Sequence, residues 1–98
     1  MNRIRVSKKA IADLDDIWVY TADAWSVDQA SKYYLQIINA IRNLTNLPDY
    51  LIRKYDSVKE GLYGYHVGHH IICYKKKDDS TIWVDRILHE RMDPSKRF

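Results

Sequence analysis

Two stretches of helical periodicity constrain this chain more than any other feature. Apolar residues recur at spacings of three and four on both sides of "SVDQ" (residues 26–29), as in helices that bury one side. Ser7 can cap the first helix, and the Ser-x-x-Gln form of "SVDQ" is a capping box that begins the second. Pro48 disfavours helical geometry before it, so the second helix should end near Asn46. The short connection predicts an antiparallel helical hairpin.

The remaining segments have the periodicity of strands. "RIRVS" (residues 3–7) alternates apolar and basic residues and predicts a short strand before the first helix. Residues 49–65 predict an irregular link leading into a strand. Residues 65–76 have apolar side chains at both odd and even positions, as expected of a central strand covered on both faces. Residues 81–88 predict a final strand. The order β-α-α-β-β-β indicates an α+β domain, with the helical hairpin packed on an antiparallel sheet.

Length and composition favour one folded domain over residues 1–98. Of the 98 residues, 46% are hydrophobic, and no run approaches the roughly 18 apolar residues of a membrane span. The basic N-terminus has no apolar segment behind it, so no signal peptide is predicted. Cys73 is the single cysteine and can form no internal disulfide, which favours a reducing cytoplasm.

The basic excess of the chain is unevenly distributed. The formal charge is +3. Residues 1–50 hold equal numbers of basic and acidic side chains, so the whole excess lies in residues 51–98. Such an excess suits a nucleic acid or an acidic protein partner and does not choose between them.

The histidines and the cysteine do not predict a metal or nucleophile site. In one extended strand, His66 and His70 would share a face while His69 pointed the other way, so at most two of the three could converge. No zinc-type spacing accompanies them. Packing beside tyrosines, or exposure at a strand start, is the favoured interpretation, and neither metal nor cofactor is predicted. Cys73 lies among apolar residues, which predicts an inert core thiol.

Metal-free RNA cleavage is a sharper hypothesis, because it needs a base, an acid and cations for the phosphate charge. Side chains of these types occur at His69 or His70, Arg86, His89, Glu90 and Arg91. No fixed spacing links them. Ordinary solvation and ion pairing explain them at least as well.

The tryptophans have different expected positions. Trp18 lies on the apolar stripe of the first helix, which predicts core packing. Trp25 falls at the hairpin turn. Trp83 has the parity opposite to Ile82 and Val84, which predicts a position on the sheet face away from the helices. That face would then be available to a partner, and exposed tryptophans can stack on unpaired bases.

Four segments together resemble the ParE-like branch of the RelE/ParE toxin superfamily. They are "ADLDDIWVYTADAW", "ASKYYLQIINAIRNLTNLP", "EGLYGYHVGHHIICYKK" and "RILHERMDP", in the family's order over nearly the whole chain. "RILHERMD" is the most specific, since ParE-like toxins typically end in Arg-apolar-Leu-His-x-x-Met-Asp. The resemblance implies a helical hairpin against a small curved antiparallel sheet.

The resemblance also implies a function. It indicates the cytoplasmic toxin of a type II toxin–antitoxin system, a class associated with growth inhibition and plasmid stabilisation. A cognate ParD-like antitoxin would neutralise it by folding a disordered segment over it, with acidic residues meeting the C-terminal basic excess. ParE-like members inhibit DNA gyrase without catalysis. RelE-like members instead cut mRNA in the ribosome, so the alternative is an endoribonuclease that uses His89 and Arg86.

The C-terminal segment is the expected target-binding surface under the gyrase hypothesis. Its candidate residues are Trp83, Arg86, His89, Arg91, Met92 and Asp93.

Two departures from the family stand out. Tyr63 occupies a position where the family commonly has an arginine. This leaves open whether a target or antitoxin contact made by that arginine exists in this chain. Phe98 stands where nucleolytic relatives often end in tyrosine, which favours a non-enzymatic toxin. A degenerate toxin that retains antitoxin binding alone is a third hypothesis, and the order of residues 95–98 stays undecided.

Overall fold

A computed structural model of the protein describes residues 3–78 and 80–98 and has the expected α+β class. A helical hairpin packs on one face of a five-stranded sheet. The elements are β1 (Arg3–Val6), α1 (Lys8–Ala24), α2 (Val27–Arg42), β2 (Ile52–Lys54), β3 (Tyr63–Val67), β4 (His70–Lys76) and β5 (Thr81–His89). Neither helix in these described ranges has the length and apolar character needed to cross a membrane.

Both helices begin at the predicted caps. The Oγ of Ser7 accepts from the Ala10 amide at 3.0 Å, and the Oγ of Ser26 accepts from Gln29 at the same distance. Each hydroxyl satisfies a first-turn amide that has no partner within its helix.

The second helix ends earlier than predicted, at Arg42 rather than near Asn46. The side-chain amide of Asn43 donates to the Asn39 carbonyl at 2.8 Å, while its backbone amide is shared between the Asn39 and Ala40 carbonyls. These tighter bonds convert the chain to a 3-10 turn over Leu44–Asn46. The end of α2 is therefore set by asparagine, several residues before the proline.

The sheet is mixed rather than purely antiparallel. Its strand order is β1-β5-β4-β3-β2, and β1 pairs with β5 in parallel. All other neighbours are antiparallel. The predicted link over residues 49–65 also contains the short edge strand β2. The parallel pair arises because the chain leaves β1 through the hairpin and returns to it only with its last strand.

The predicted single strand over residues 65–76 is wrong, because a tight turn divides it into β3 and β4. Gly68 has φ +57°, and Gly68 and His69 connect the two strands. A glycine with positive φ at the first central position is the arrangement of two-residue type II′ hairpins. Tyr63, at the family's arginine position, lies opposite Tyr74 and stacks on its ring at 5.6 Å.

The main core lies between the hairpin and the sheet. Its fully buried members include Ile37, Ile72 and Val84. A smaller cluster on the other sheet face contains Cys73, and burial raises the pKa of this thiol to about 12. The prediction of an inert core thiol is confirmed. Trp18, expected in the core, is only partly buried, since it lines a shallow surface cavity beside Val19.

Replacing Gly68 with alanine should destabilise the fold more than the same change at Gly61. Both glycines have positive φ, but a Cβ at Gly61 meets nothing within 4 Å, whereas at Gly68 it would lie 2.7 Å from the Tyr33 ring. We expect a loss of about 1 kcal/mol at Gly61 from backbone strain and roughly 2–3 kcal/mol at Gly68. Urea unfolding of the two variants measures the difference, and equal losses would contradict the close approach of Tyr33.

Candidate functional site

A groove opens where the turn end of the helical hairpin faces the end of the sheet. Its volume is about 740 Å³. The lining residues come from α1, α2, the β3–β4 turn and the segment after β5: Asp16, Ile17, Tyr20, Thr21, Trp25, Gln29, Tyr33, His69, His70, His89, Arg91 and Met92. Concave sites that combine aromatic walls with a few polar groups are typical ligand or partner sites.

Tyr33 organises the wall formed by the sheet. Its hydroxyl lies 2.6 Å from Nδ1 of His70 and 3.3 Å from the Val67 carbonyl, and it accepts from the His69 amide at 3.1 Å. Burial, together with the nearby His89 and His69, lowers the pKa of His70 to about 4. The His70 ring is therefore neutral at physiological pH and serves as a structural hydrogen-bond partner. This is the predicted packing of a histidine beside a tyrosine.

Two other histidines converge on one carboxylate. Nδ1 of His69 lies 3.1 Å from Oε2 of Glu90, and Nε2 of His66 lies 3.5 Å from Oε1. The hydrogen bond from His69 is the main reason that the pKa of Glu90 is lowered. The single-strand prediction placed His66 and His69 on opposite faces, and the turn at Gly68 overturns it. Within residues 3–78 and 80–98, no group of His, Cys, Asp or Glu side chains is arranged to hold a metal ion.

His89 holds the turn that ends β5. Its Nδ1 accepts from the Arg91 amide at 3.1 Å, and its carbonyl accepts from the Met92 amide at 2.9 Å. These bonds place the Arg91 and Met92 side chains in the groove. The carboxylate of Asp93 accepts from the Ser95 hydroxyl and amide, which lowers the Asp93 pKa and begins a short 3-10 turn. His89 therefore acts as a positioning residue in this geometry.

The tail, left undecided by the sequence, is folded against the domain. Pro94–Lys96 form the 3-10 turn. The ring of Phe98 lies 5.7 Å from the ammonium group of Lys59.

Arg86 is held within the fold. Its Nε and Nη2 each donate to the Asp13 carboxylate at 2.8 Å, and the Ile87 amide donates to the same carboxylate at 2.9 Å. Both charged side chains are largely buried, at 19% and 14% exposure. A bidentate pair of this kind is geometrically specific. The guanidinium is thus engaged in joining α1 to β5.

Trp83 lies on the sheet face away from the helices, as its parity predicted. Its neighbours Ile82 and Val84 are in the main core, whereas Trp83 is 36% exposed, and Lys77 lies over its ring at 5.6 Å. His89 lies six positions further along β5, about 20 Å away at 3.3 Å per residue. The structure therefore brings three of the predicted contact residues together in the groove and leaves Trp83, Arg86 and Asp93 outside it.

Sequence reasoning missed the helical side of the groove. Tyr33 packs against the core from α2, but its hydroxyl reaches the β3–β4 turn. Trp25 was placed correctly at the hairpin turn, where it is 77% exposed and lines the groove. The signal that could have located the site is the "VGHH" sequence, since glycine before a histidine pair marks the turn that approaches Tyr33.

Comparisons with known proteins agree with this fold. A family model described as "ParE toxin of type II toxin-antitoxin system, parDE" matches residues 4–94. Toxin ParE1 of Mycobacterium tuberculosis is 36% identical over 97 residues, covering 99% of this chain and 98% of that protein. Toxin ParE1 of Caulobacter vibrioides is 29% identical, covering 95% and 94%.

A solved structure shares the architecture. It is described as "Chromosomal ParDE TA system from P. aeruginosa" and superposes with a TM-score of 0.74 at 20% identity, covering 91% of this chain and 96% of that one. The chain belongs to the ParE toxin family of type II toxin–antitoxin systems. The resemblance seen in the four sequence segments is thereby confirmed.

Acidification should destabilise the fold between pH 6.5 and pH 4 through His70. The pKa of His70 is about 4 in the folded chain and about 6.5 when unfolded, so over this range the unfolded chain binds a proton that the folded chain does not. His70 contributes fully to stability above pH 6.5, and the contribution is lost toward pH 4. Allowing for solvent screening of the half-exposed ring, the loss is about 1–2 kcal/mol.

The variant His70→Asn, which keeps an acceptor near Tyr33, should show a flatter dependence of unfolding free energy on pH over this range. His66→Asn, at an exposed position, is the matched control. The pKa of Glu90 is lowered from 4.5, so its own contribution is present above pH 4.5 and is lost only as the pH falls below that value. Equal slopes in wild type and His70→Asn would contradict the assignment.

Replacing Asp13 with asparagine should destabilise the protein strongly, because it leaves the largely buried Arg86 charge without its carboxylate. The expected loss is about 3 kcal/mol. Asp15→Asn, on the exposed side of the same helix, should change stability by no more than about 0.5 kcal/mol. Thermal unfolding of both variants tests this, and similar midpoints would refute a structural role for the pair.

Proposed function

We propose that this ParE-type toxin acts in the cytoplasm by binding and inhibiting DNA gyrase, which blocks replication, and that a cognate ParD-like antitoxin neutralises it. Family membership supports the toxin class. The groove supports a target contact, because it gathers the end of the family's most specific segment beside the turn end of the helical hairpin. That juxtaposition is the observation on which the proposal depends.

The chemistry of the groove suits a protein surface. Met92 is 40% exposed and offers an adaptable apolar contact, while Arg91 offers directional donors. Trp25 adds an exposed aromatic surface on the opposite wall. Trp, Met and Arg are enriched at protein interfaces, and a few such residues usually dominate the binding energy.

The nuclease alternative has less support from the same geometry. It assigns the phosphate charge to Arg86, but the guanidinium of Arg86 is bound on two nitrogens by Asp13, which leaves that role to Arg91 in the groove. Nδ1 of His89 already accepts a backbone amide, so this nitrogen is engaged in holding the turn. Under the binding proposal both residues are structural: Arg86 joins α1 to β5, and His89 holds the turn that places Arg91 and Met92 in the groove.

The outer side of the helical hairpin is the proposed antitoxin site. It exposes Ile11, Val19 and Leu35, and Trp18 and Tyr34 line a shallow cavity of about 390 Å³ there. Exposed apolar surface of this kind marks an interaction site, and a linear segment that folds on binding can cover it.

Purified protein should inhibit supercoiling by DNA gyrase and leave in vitro translation intact. Arg91→Ala and Met92→Ala should each raise the concentration needed for inhibition by about 5- to 30-fold, since each removes interface contacts worth about 1–2 kcal/mol. Arg42→Ala, an exposed arginine at the end of α2, is the control and should inhibit normally.

Codon-dependent mRNA cleavage with unaffected supercoiling would replace this proposal with the nuclease. A protein that does neither but still binds its antitoxin would be the degenerate toxin. Binding to the antitoxin is measured separately, and Leu35→Ser should weaken it while Arg42→Ala does not.

A further inference from the structure

The sheet face away from the helices carries two rows of side chains that the groove does not use. In the first row, Arg5 of β1 and Lys75 of β4 flank Trp83 of β5, each directly opposite it in register. In the second row, Arg3 lies beside Thr81, whose carbonyl accepts from the Lys77 amide at 2.9 Å. Register partners share a face of the sheet, so four cations surround one tryptophan.

This group, Arg3, Arg5, Lys75, Lys77 and Trp83, is here called the basic face. Arg3, Arg5 and Lys77 are exposed, and the ammonium of Lys77 lies 5.6 Å from the centre of the Trp83 ring. Neighbouring strands are about 4.8 Å apart, so the backbones of Arg5 and Lys75 are about 10 Å apart. The indole lies between them, within reach of both side chains.

Electrostatics leave the basic face with unneutralised charge. Lys59 approaches from the segment over residues 55–62, and the proximity of Lys75 is the main reason that the Lys59 pKa is lowered. Asp85 lies 3.5 Å from Lys75 and offsets one cation. The Asp78 carboxylate accepts hydrogen bonds from Ser80, which lower its pKa and keep it ionised, so it offsets a second cation. Ammonium groups held close together favour a bound anion.

We propose that the basic face binds single-stranded nucleic acid, with an unpaired base stacked on Trp83 and the adjoining phosphates held by Arg5, Lys75 and Lys77. Cations alone would suit any polyanion. The tryptophan between them favours a partner that has both phosphates and free ring faces. Duplex DNA covers its base faces by stacking, and an acidic peptide supplies charge without rings to stack. When the strand binds, the ammonium of Lys77 leaves the Trp83 ring and contacts a phosphate instead.

This inference does not depend on the proposed gyrase contact. The groove and the basic face lie near opposite ends of β5 and on different sides of the sheet. Stacking and phosphate contacts are common to DNA and RNA, so both kinds of single strand are expected to bind. Failure of gyrase inhibition would therefore leave the basic face unaffected, and the reverse also holds.

Fluorescence anisotropy of labelled dT12 and rU12 with the intact chain tests the proposal. Trp83→Leu should weaken binding about 5- to 100-fold, the effect of losing one stacked base, while Trp83→Phe should retain most of it. Arg5→Ala combined with Lys75→Ala should reduce the slope of log affinity against log salt by about 1.4, since each phosphate contact contributes about 0.7 for single strands.

Two controls match these variants. Trp25→Leu removes an exposed tryptophan elsewhere, and Lys32→Ala removes an exposed lysine from α2. Both should bind dT12 and rU12 as the wild type does. Trp83 fluorescence, read in a Trp18→Phe, Trp25→Phe background, should be quenched as either oligonucleotide binds.

A 12-base-pair duplex and a glutamate-rich 12-residue peptide complete the experiment, and each should bind at least fivefold more weakly than dT12. Tighter binding of the duplex, or of the peptide, would overturn the proposal in favour of a duplex or an acidic protein segment. An unchanged affinity for dT12 in Trp83→Leu would overturn it as well, because stacking would then contribute nothing.

Discussion

One carboxylate, that of Asp13, joins the helical layer to the sheet at the point where the sheet would otherwise have a free edge. β1 covers one edge of β5 up to Val84, and beyond Val84 that edge has no strand beside it, while β4 pairs with the other edge as far as His89. Ser7 bonds to the Asp85 carbonyl, and Asp13 takes over the Ile87 amide and the Arg86 guanidinium. Uncovered edges invite pairing with other chains. Ser7 and helix α1 therefore supply the hydrogen bonds to this edge of β5 that β1 does not reach. The residues beyond Ile87 are positioned from this junction.

Because of that junction, one part of the C-terminal segment stabilises the fold and another part is presented to the groove. Arg86 is fixed against α1, His89 then forms the turn, and Arg91 and Met92 emerge into the groove. The two arginines of the motif thus have different environments, although they are only five residues apart in sequence. The segment that most specifically marks the family therefore contains residues that maintain the fold as well as residues that lie in the groove.

The periodicity of the two helices and their serine caps predicted the hairpin, since these signals depend on local geometry alone. The end of α2 and the division of residues 65–76 were not predicted, because Asn43 and Gly68 act through single local bonds that override the apolar pattern. The partner of Arg86 lies 73 residues away in sequence, and no local pattern specifies a contact of that range. Three groove residues were foreseen by resemblance, and the helical wall required the tertiary structure.

The strand order has a consequence for synthesis of the chain. β5 is made after the other four strands of this sheet, yet it lies inside the sheet, between β1 and β4. Until residues 81–89 leave the ribosome, the first strand has no neighbour, the Asp13 carboxylate has no guanidinium, and the hairpin has no complete surface to pack on. Contacts of this range make folding slow relative to local helix formation. Completion of the sheet therefore waits for residues 81–89, which pair with both β1 and β4.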